Sequence, residues 1–165
     1  MKIAIISDTH DNLATLDKFL AYTALNPVDA IIHCGDIAEG DTLTRLAKGF
    51  SGKILAAFGN MDYRDSVYAS AAKLPNVTLF ESFGQTGPGR QKIGFCHHKE
   101  TALAHLKKEN FNYLFYGHTH KPWMEEINGC ILANPGTLAG MFYKATFSTL
   151  DTETNKLELK IIDRL

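Results

Sequence analysis

Cysteine is scarce in this chain: three among 165 residues, Cys34, Cys96 and Cys130. Their odd number, wide spacing and lack of any C-x-x-C exclude a disulfide framework and a thiolate zinc site, and imply a reducing compartment. An excess of either charge is also missing, since 17 Lys and Arg against 18 Asp and Glu leave a formal net charge of -1. That removes the electrostatic reason for a polyanion partner, so no nucleic-acid surface is expected, and Lys107-Lys108 reads as a solvated helix face. The opening MKIAIISDTH enters a strand at once and is too short and too soon charged for a leader or a membrane span. A cytoplasmic protein without a membrane partner is the expectation. No repeat, linker or low-complexity segment divides the sequence, whose length suits one domain over residues 1–165. Nothing in it decides between a monomer and a homo-oligomer.

What is present is a run of strands that end in polar clusters. The β-branched stretch Ile3 to Ile6 predicts a strand buried on both faces, closed by the turn-forming SDTHDN. Apolar residues from Leu13 to Tyr22 recur at helical spacing until Asn26-Pro27 stops them. A strand at Ala30 to His33 leads into Cys34-Gly35-Asp36, a helix at Asp41 to Lys48 follows, and a strand at Lys53 to Phe58 runs into Gly59-Asn60-Met61-Asp62. After a helix at Tyr68 to Lys73, strands at Val77 to Phe83 and Gln91 to Cys96 are expected across the turn-rich GQTGPGR. A helix at Thr101 to Glu109 and a strand at Tyr113 to Tyr116 deliver Gly117-His118-Thr119-His120. Antiparallel strands are then expected at Met124 to Ile127, Cys130 to Ala133, Lys144 to Leu150 and Lys156 to Ile162, the first two turning at Asn128-Gly129. An α/β half and a β-rich half sharing one core suggest two packed sheets with helices outside.

The chemistry lies at the strand exits: Asp8 and His10, Asp36, Asn60 and Asp62, His97 and His98, His118 and His120. Singly, each is well explained as a helix cap, a turn residue or a satisfied loop histidine. Five strands ending in oxygen and imidazole donors are better explained by a common metal centre. Charge supports this. Two divalent cations held by Asp8, Asp36, the Asn60 carbonyl and four neutral imidazoles, with a bridging hydroxide, would keep about one net positive charge, which suits an anionic phosphate ester.

The order Asp8-x-His10, Gly35-Asp36, Gly59-Asn60-x-Asp62, His97, Gly117-His118-x-His120 and Asn134-Pro-Gly-Thr137 resembles the calcineurin-like metallophosphoesterase superfamily, and most of all its small single-domain bacterial and archaeal phosphodiesterases. The resemblance covers essentially the whole chain. It implies a four-layer α/β/β/α sandwich of two mixed sheets flanked by helices. It also implies two divalent metal ions, manganese first, with iron, cobalt, nickel or zinc compatible. Asp8, His10, Asp36 and His120 would hold one ion and Asp36, Asn60, His97 and His118 the other, Asp36 bridging. The implied reaction is hydrolysis of a small phosphodiester by a metal-bridging hydroxide. Asp36, Asn60 and Asp62 are the candidate catalytic residues, Asp62 by orienting a ligand or the substrate. Asn60, Arg64 and His98 are the candidate substrate contacts.

Two positions depart from the pattern. Met61 stands where much of the superfamily has a histidine credited with helping the leaving group. His97-His98 replaces the usual His-Gly; His97 is aligned as the ligand because it ends the strand, with His98 as the alternative. The alternative function is a scaffold of the same fold, as in the retromer coat, where the metal site is degraded; here all seven ligand positions carry competent side chains. A zinc amidohydrolase would need a barrel of about 250 residues, and the H-x-H-x-D-H of metallo-β-lactamases is absent. Cys34 and Cys96 read as small buried hydrophobes, and His33 and His105 lie off the ligand positions. Trp123, Tyr116, Phe142 and Tyr143 either wall a substrate cleft or pack elsewhere.

Overall fold

The computed structural model describes residues 1–87 and 91–165. Eleven strands form two sheets among the described residues. The first has the order β11-β10-β1-β2-β3-β4, with β1 (Lys2–Ile6), β2 (Ala30–His33), β3 (Lys53–Ala57) and β4 (Val77–Phe80) mutually parallel. Of its other two strands, β10 (Thr146–Asp151) pairs antiparallel with β1 and β11 (Lys156–Ile161) antiparallel with β10. The second sheet has the order β5-β6-β7-β9-β8. Its parallel core is β6 (Ile93–Cys96), β7 (Tyr113–Phe115) and β9 (Cys130–Asn134), flanked by antiparallel β5 (Phe83–Thr86) and β8 (Trp123–Ile127). Both sheets are mixed, as expected.

Strand alternation sorts the apolar residues into layers. Ile3 and Ile5 of β1 join Leu55, Phe95, Phe115 and Leu150 between the sheets, while Ala4 and Ile6 face Leu16 and Phe19 of α1 (Leu13–Leu25). α2 (Gly40–Gly49) and α3 (Arg64–Ala71) cover the rest of that face through Leu43, Leu46 and Val67. Across the molecule, α4 (Lys99–Leu106) places Ala102 and Leu103 over Leu114, Tyr116 and Leu132. The layers are thus helix, sheet, sheet, helix. No helix among the described residues is long and apolar enough to cross a membrane.

One predicted strand is two. Val77 to Phe83 breaks at Glu81-Ser82, because there the chain leaves the first sheet for the second: β4 pairs with β3 and β5 with β6. Phe80 packs between the sheets and Phe83 beneath α4, so one apolar run serves two cores. GQTGPGR is correspondingly not all turn, since Gly84 to Thr86 are strand; its residues 88–90 lie outside the described residues.

Candidate metal centre

All five loops that carry the candidate ligands leave the carboxyl ends of parallel strands: β1, β2 and β3 in one sheet, β6 and β7 in the other. The site therefore lies across the edge where both sheets end, the place where open α/β sheets bind ligands. Asp8, His10, Asp36, His118 and His120 all have φ between 42° and 67°. Side-chain-bearing residues adopt this left-handed conformation at a cost of about 1–2 kcal/mol each, and such strain collects at functional sites. Backbone bonds between loops hold it: Asp8 N–H donates to Gly35 O (3.0 Å), and Thr9 and His10 N–H both donate to Asp36 O (2.9 and 3.1 Å). Neither aspartate caps a helix, for Asn12 caps α1 through its side chain and Glu39 occupies the cap position of α2.

The side chains form two donor groups. In one, His10 Nε2 and His120 Nε2 face each other at 3.2 Å, and His120 Nε2 lies 3.3 Å from Asp8 Oδ1. In the other, His97 Nε2 lies 3.0 Å from Asn60 Oδ1 and 3.2 Å from Asp36 Oδ2. That same Asp36 Oδ2 stands 3.7 Å from His10 Nε2, so one carboxylate oxygen borders both groups. Ring nitrogens aimed at one another beside buried carboxylates are the donor set of a cation site, and the residues fit a divalent metal. Asp8, His10 and His120 could hold an ion, as could Asp8, Asp36 and His97, and His97, His98 and His118.

Electrostatics follow from burial. Burial raises the Asp8 carboxyl above its ordinary value. Burial would raise Asp36 also, but the hydrogen bond and charge of His97 hold it below the ordinary value; reciprocally, Asp36 keeps the buried His97 raised.

A supporting layer fixes the donors. His97 Nδ1–H donates to Cys34 O at 2.9 Å, which turns Nε2 toward the acids. Asp62 is held by backbone donors. Its two oxygens accept from Ala38 N–H (2.8 Å) and Gly59 N–H (2.6 Å), tying the Asp36 loop to the Asn60 loop. Gly59 and Gly117 are glycines for reasons of space: a Cβ at 59 would overlap Asp36 Oδ1, and one at 117 would overlap Ser7 Oγ. Asn134, matched in sequence but given no role, donates to Gly117 O (2.7 Å) and accepts from Gly136 N–H (2.8 Å), while Thr137 Oγ1 donates to Asp8 O (3.0 Å). The Asn-Pro-Gly-Thr segment is the brace of both histidine loops, and its motif was the signal for it. No motif marked Thr9 and His33. Gly35 N–H donates to His33 Nδ1 (3.1 Å), so Nε2–H donates to Thr9 Oγ1 (2.7 Å).

The remaining candidates are less central. Arg64 Nη1 donates to Glu81 Oε2 at 2.7 Å, and its guanidinium lies 4.5 Å from the centre of the Phe58 ring. His98 is half-buried with its ring 4.5 Å from that of His118. Met61 is 55% exposed at the rim, its N–H donating to Asp36 Oδ1 (2.8 Å). The cysteines are free and buried, burial pushing Cys96 up to about 12 and Cys130 to about 11. His105 stacks on Phe83 at 3.6 Å. Of the four aromatics, Tyr116 belongs to the core beneath α4, Trp123 and Tyr143 are half exposed, and the Phe142 ring stands 5.8 Å from that of His120.

The chain is 29% identical over 157 residues to a phosphodiesterase of Methanocaldococcus jannaschii, covering 93% of this chain and 94% of that protein. The solved structure of an archaeal phosphodiesterase superposes with a TM-score of 0.88 at 26% identity, over 98% of this chain and 99% of the other. Vps29 of Chaetomium thermophilum shares the fold, with a TM-score of 0.72 at 18% identity over 98% and 95% of the two chains. Residues 1–155 match the calcineurin-like phosphoesterase superfamily domain, and the chain belongs to that superfamily, whose members depend on metal.

Proposed function

We propose that residues 1–165 act as one phosphodiesterase domain that holds two divalent cations. Asp8, His10, Asp36 and His120 would hold the first, and Asp36, Asn60, His97 and His118 the second. The observation that carries this reading is the position of Asp36 Oδ2, 3.2 Å from His97 Nε2 and 3.7 Å from His10 Nε2, between the two donor groups. Bound ions would supply hydroxide at neutral pH and offset charge on the phosphoryl oxygens. The chain's own part is positioning. Asp62 locks the Asp36 and Asn60 loops in register, and His97 is oriented by Cys34 O. With Asn60 Oδ1 turned to His97, its Nδ2 is the donor left for a phosphoryl oxygen. His98 is the nearer of the two other substrate contacts and Arg64 the more remote. Met61 offers no proton to a departing group.

The diester preference draws support from the archaeal relative named as a phosphodiesterase. Manganese suits the mixed oxygen and imidazole donors, with iron, cobalt, nickel or zinc as substitutes. Three free buried cysteines suit the cytoplasm. The likeness to Vps29 is one of fold alone, and a scaffold role gains nothing from a donor set in which every position is intact. The test is metal analysis of the purified protein alongside a panel of phosphomonoesters, aryl diesters and cyclic nucleotides. Metal-dependent diester hydrolysis is expected; no metal-dependent hydrolysis of any phosphoester would contradict the reading.

A further inference from the structure

Phe142 is the most exposed large hydrophobic residue among those described, at 88%, and its φ of 63° is a conformation that bulky side chains rarely adopt. The cause is local. Tyr143 N–H donates to Met141 O at 2.7 Å, closing a three-residue turn around Phe142 with positive central φ, the rarer and more strained kind of γ-turn. Gly140, with φ of 73°, leads into it. The segment is fastened to the metal-ligand loop rather than hanging free: Ala139 N–H donates to Asp8 O at 3.0 Å, and Asn12 Nδ2 donates to Ala139 O at 2.8 Å. A strained turn anchored to Asp8 thus holds an aromatic ring out of the core, 5.8 Å from the His120 ring and inclined to it by 38°. Burying this ring would be favourable, so a flat group bound beside it at the site gains by covering it.

We propose that Phe142 is the platform on which a flat aromatic group joined to the substrate phosphorus stacks, so that the site favours aryl or nucleobase-bearing phosphate esters over alkyl ones. This rests on the phosphoesterase reading of the site. The ring borders the His10–His120 side of the centre, while Met61 is exposed beside Asn60 on the other. An ester whose phosphoryl group lies at Asp36 would therefore place one substituent toward each apolar rim. The phenyl ring itself neither donates nor accepts a hydrogen bond, so what it contributes is a preference for shape and flatness.

The test separates stacking from chemistry by using two ligands with the same charged head and no leaving group, phenylphosphonate and methylphosphonate. Their affinities are measured by calorimetry on the manganese-loaded protein and on its Phe142→Ala, Phe142→Leu and Phe142→Trp variants. Expected is a phenyl preference in the wild type that falls about fivefold in Phe142→Ala, falls partly in Phe142→Leu and survives in Phe142→Trp, while methylphosphonate affinity changes less than about twofold throughout. Equal binding of the two phosphonates by the wild type, or a phenyl preference untouched by Phe142→Ala, overturns the platform and leaves the phosphoesterase reading standing. Failure of the loaded wild type to bind either phosphonate overturns both.

Discussion

Gly59→Ala is a single methyl aimed at the carboxylate that borders both donor groups. The backbone at Gly59 is one that any residue adopts; what forbids a side chain is space, because a Cβ would overlap Asp36 Oδ1 and stand 2.5 Å from Asp36 N and 2.8 Å from Asp36 Cγ. Restoring an ordinary contact of about 3.5 Å moves the Asp36 loop by roughly 1 Å. Overpacking of this kind costs about 1–3 kcal/mol, or about 2–12 °C in Tm for a chain of this size. Displacing a ligand's support typically lowers metal affinity about 10- to 100-fold. Gly129→Ala is the matched control: with φ of 78° and nothing within 4 Å of its Cβ, it carries only a backbone cost of about 1–2 kcal/mol. Both variants should melt earlier by calorimetry, and only Gly59→Ala should lose manganese affinity in titration. Equal metal affinity in the two variants would refute the claim that Gly59 is a glycine for the sake of Asp36.

His97→Ala should lose mainly one metal and nearly all activity, whereas His98→Ala should keep its metal content, because His97 Nε2 and not His98 meets Asp36 and Asn60; elemental analysis giving the reverse would move the ligand to His98. Met61→His should raise kcat/KM about 10²-fold on poor leaving groups and little on good ones, read as a change of slope across aryl diesters of graded leaving-group pKa; an unchanged slope with uniformly lower rates would dismiss the missing acid. His33, fully buried with its ring neutral down to about 3 against an ordinary 6.5, makes the unfolded chain bind more protons in that window. Stability should therefore fall as pH drops below 6.5, and the fall should be shallower in His33→Gln by thermal melts between pH 7 and 4; parallel profiles would assign the acid sensitivity elsewhere.

The parts of the fold legible in the sequence are those where one residue run serves one layer. Ile3 to Ile6 and Ala30 to Ile32 are apolar on both faces because helices cover one side and the second sheet the other. Val77 to Phe83 misleads because alternation records burial, not the partner, and Phe80 and Phe83 are buried in different cores. The return of β10 and β11 to the first sheet is likewise a matter of long-range pairing that no local pattern carries. At the site, the donors were legible through their chemistry at strand exits. Their supports are less so: Thr9 and His33 act through hydrogen bonds that no sequence pattern announces, and the left-handed turns at Asp8, His10 and Asp36 are held by inter-loop bonds.

The most direct test of the shared carboxylate is metal stoichiometry and affinity in the wild type, Asp8→Asn and Asp36→Asn, measured by elemental analysis and titration on the same preparations. Two divalent ions per wild-type chain are expected, with Asp36→Asn weakening both and losing more activity than Asp8→Asn, which should weaken one. A wild type that binds a single ion, or an Asp36→Asn protein that binds two at wild-type affinity and turns over normally, would contradict the assignment of Asp36 to both donor groups.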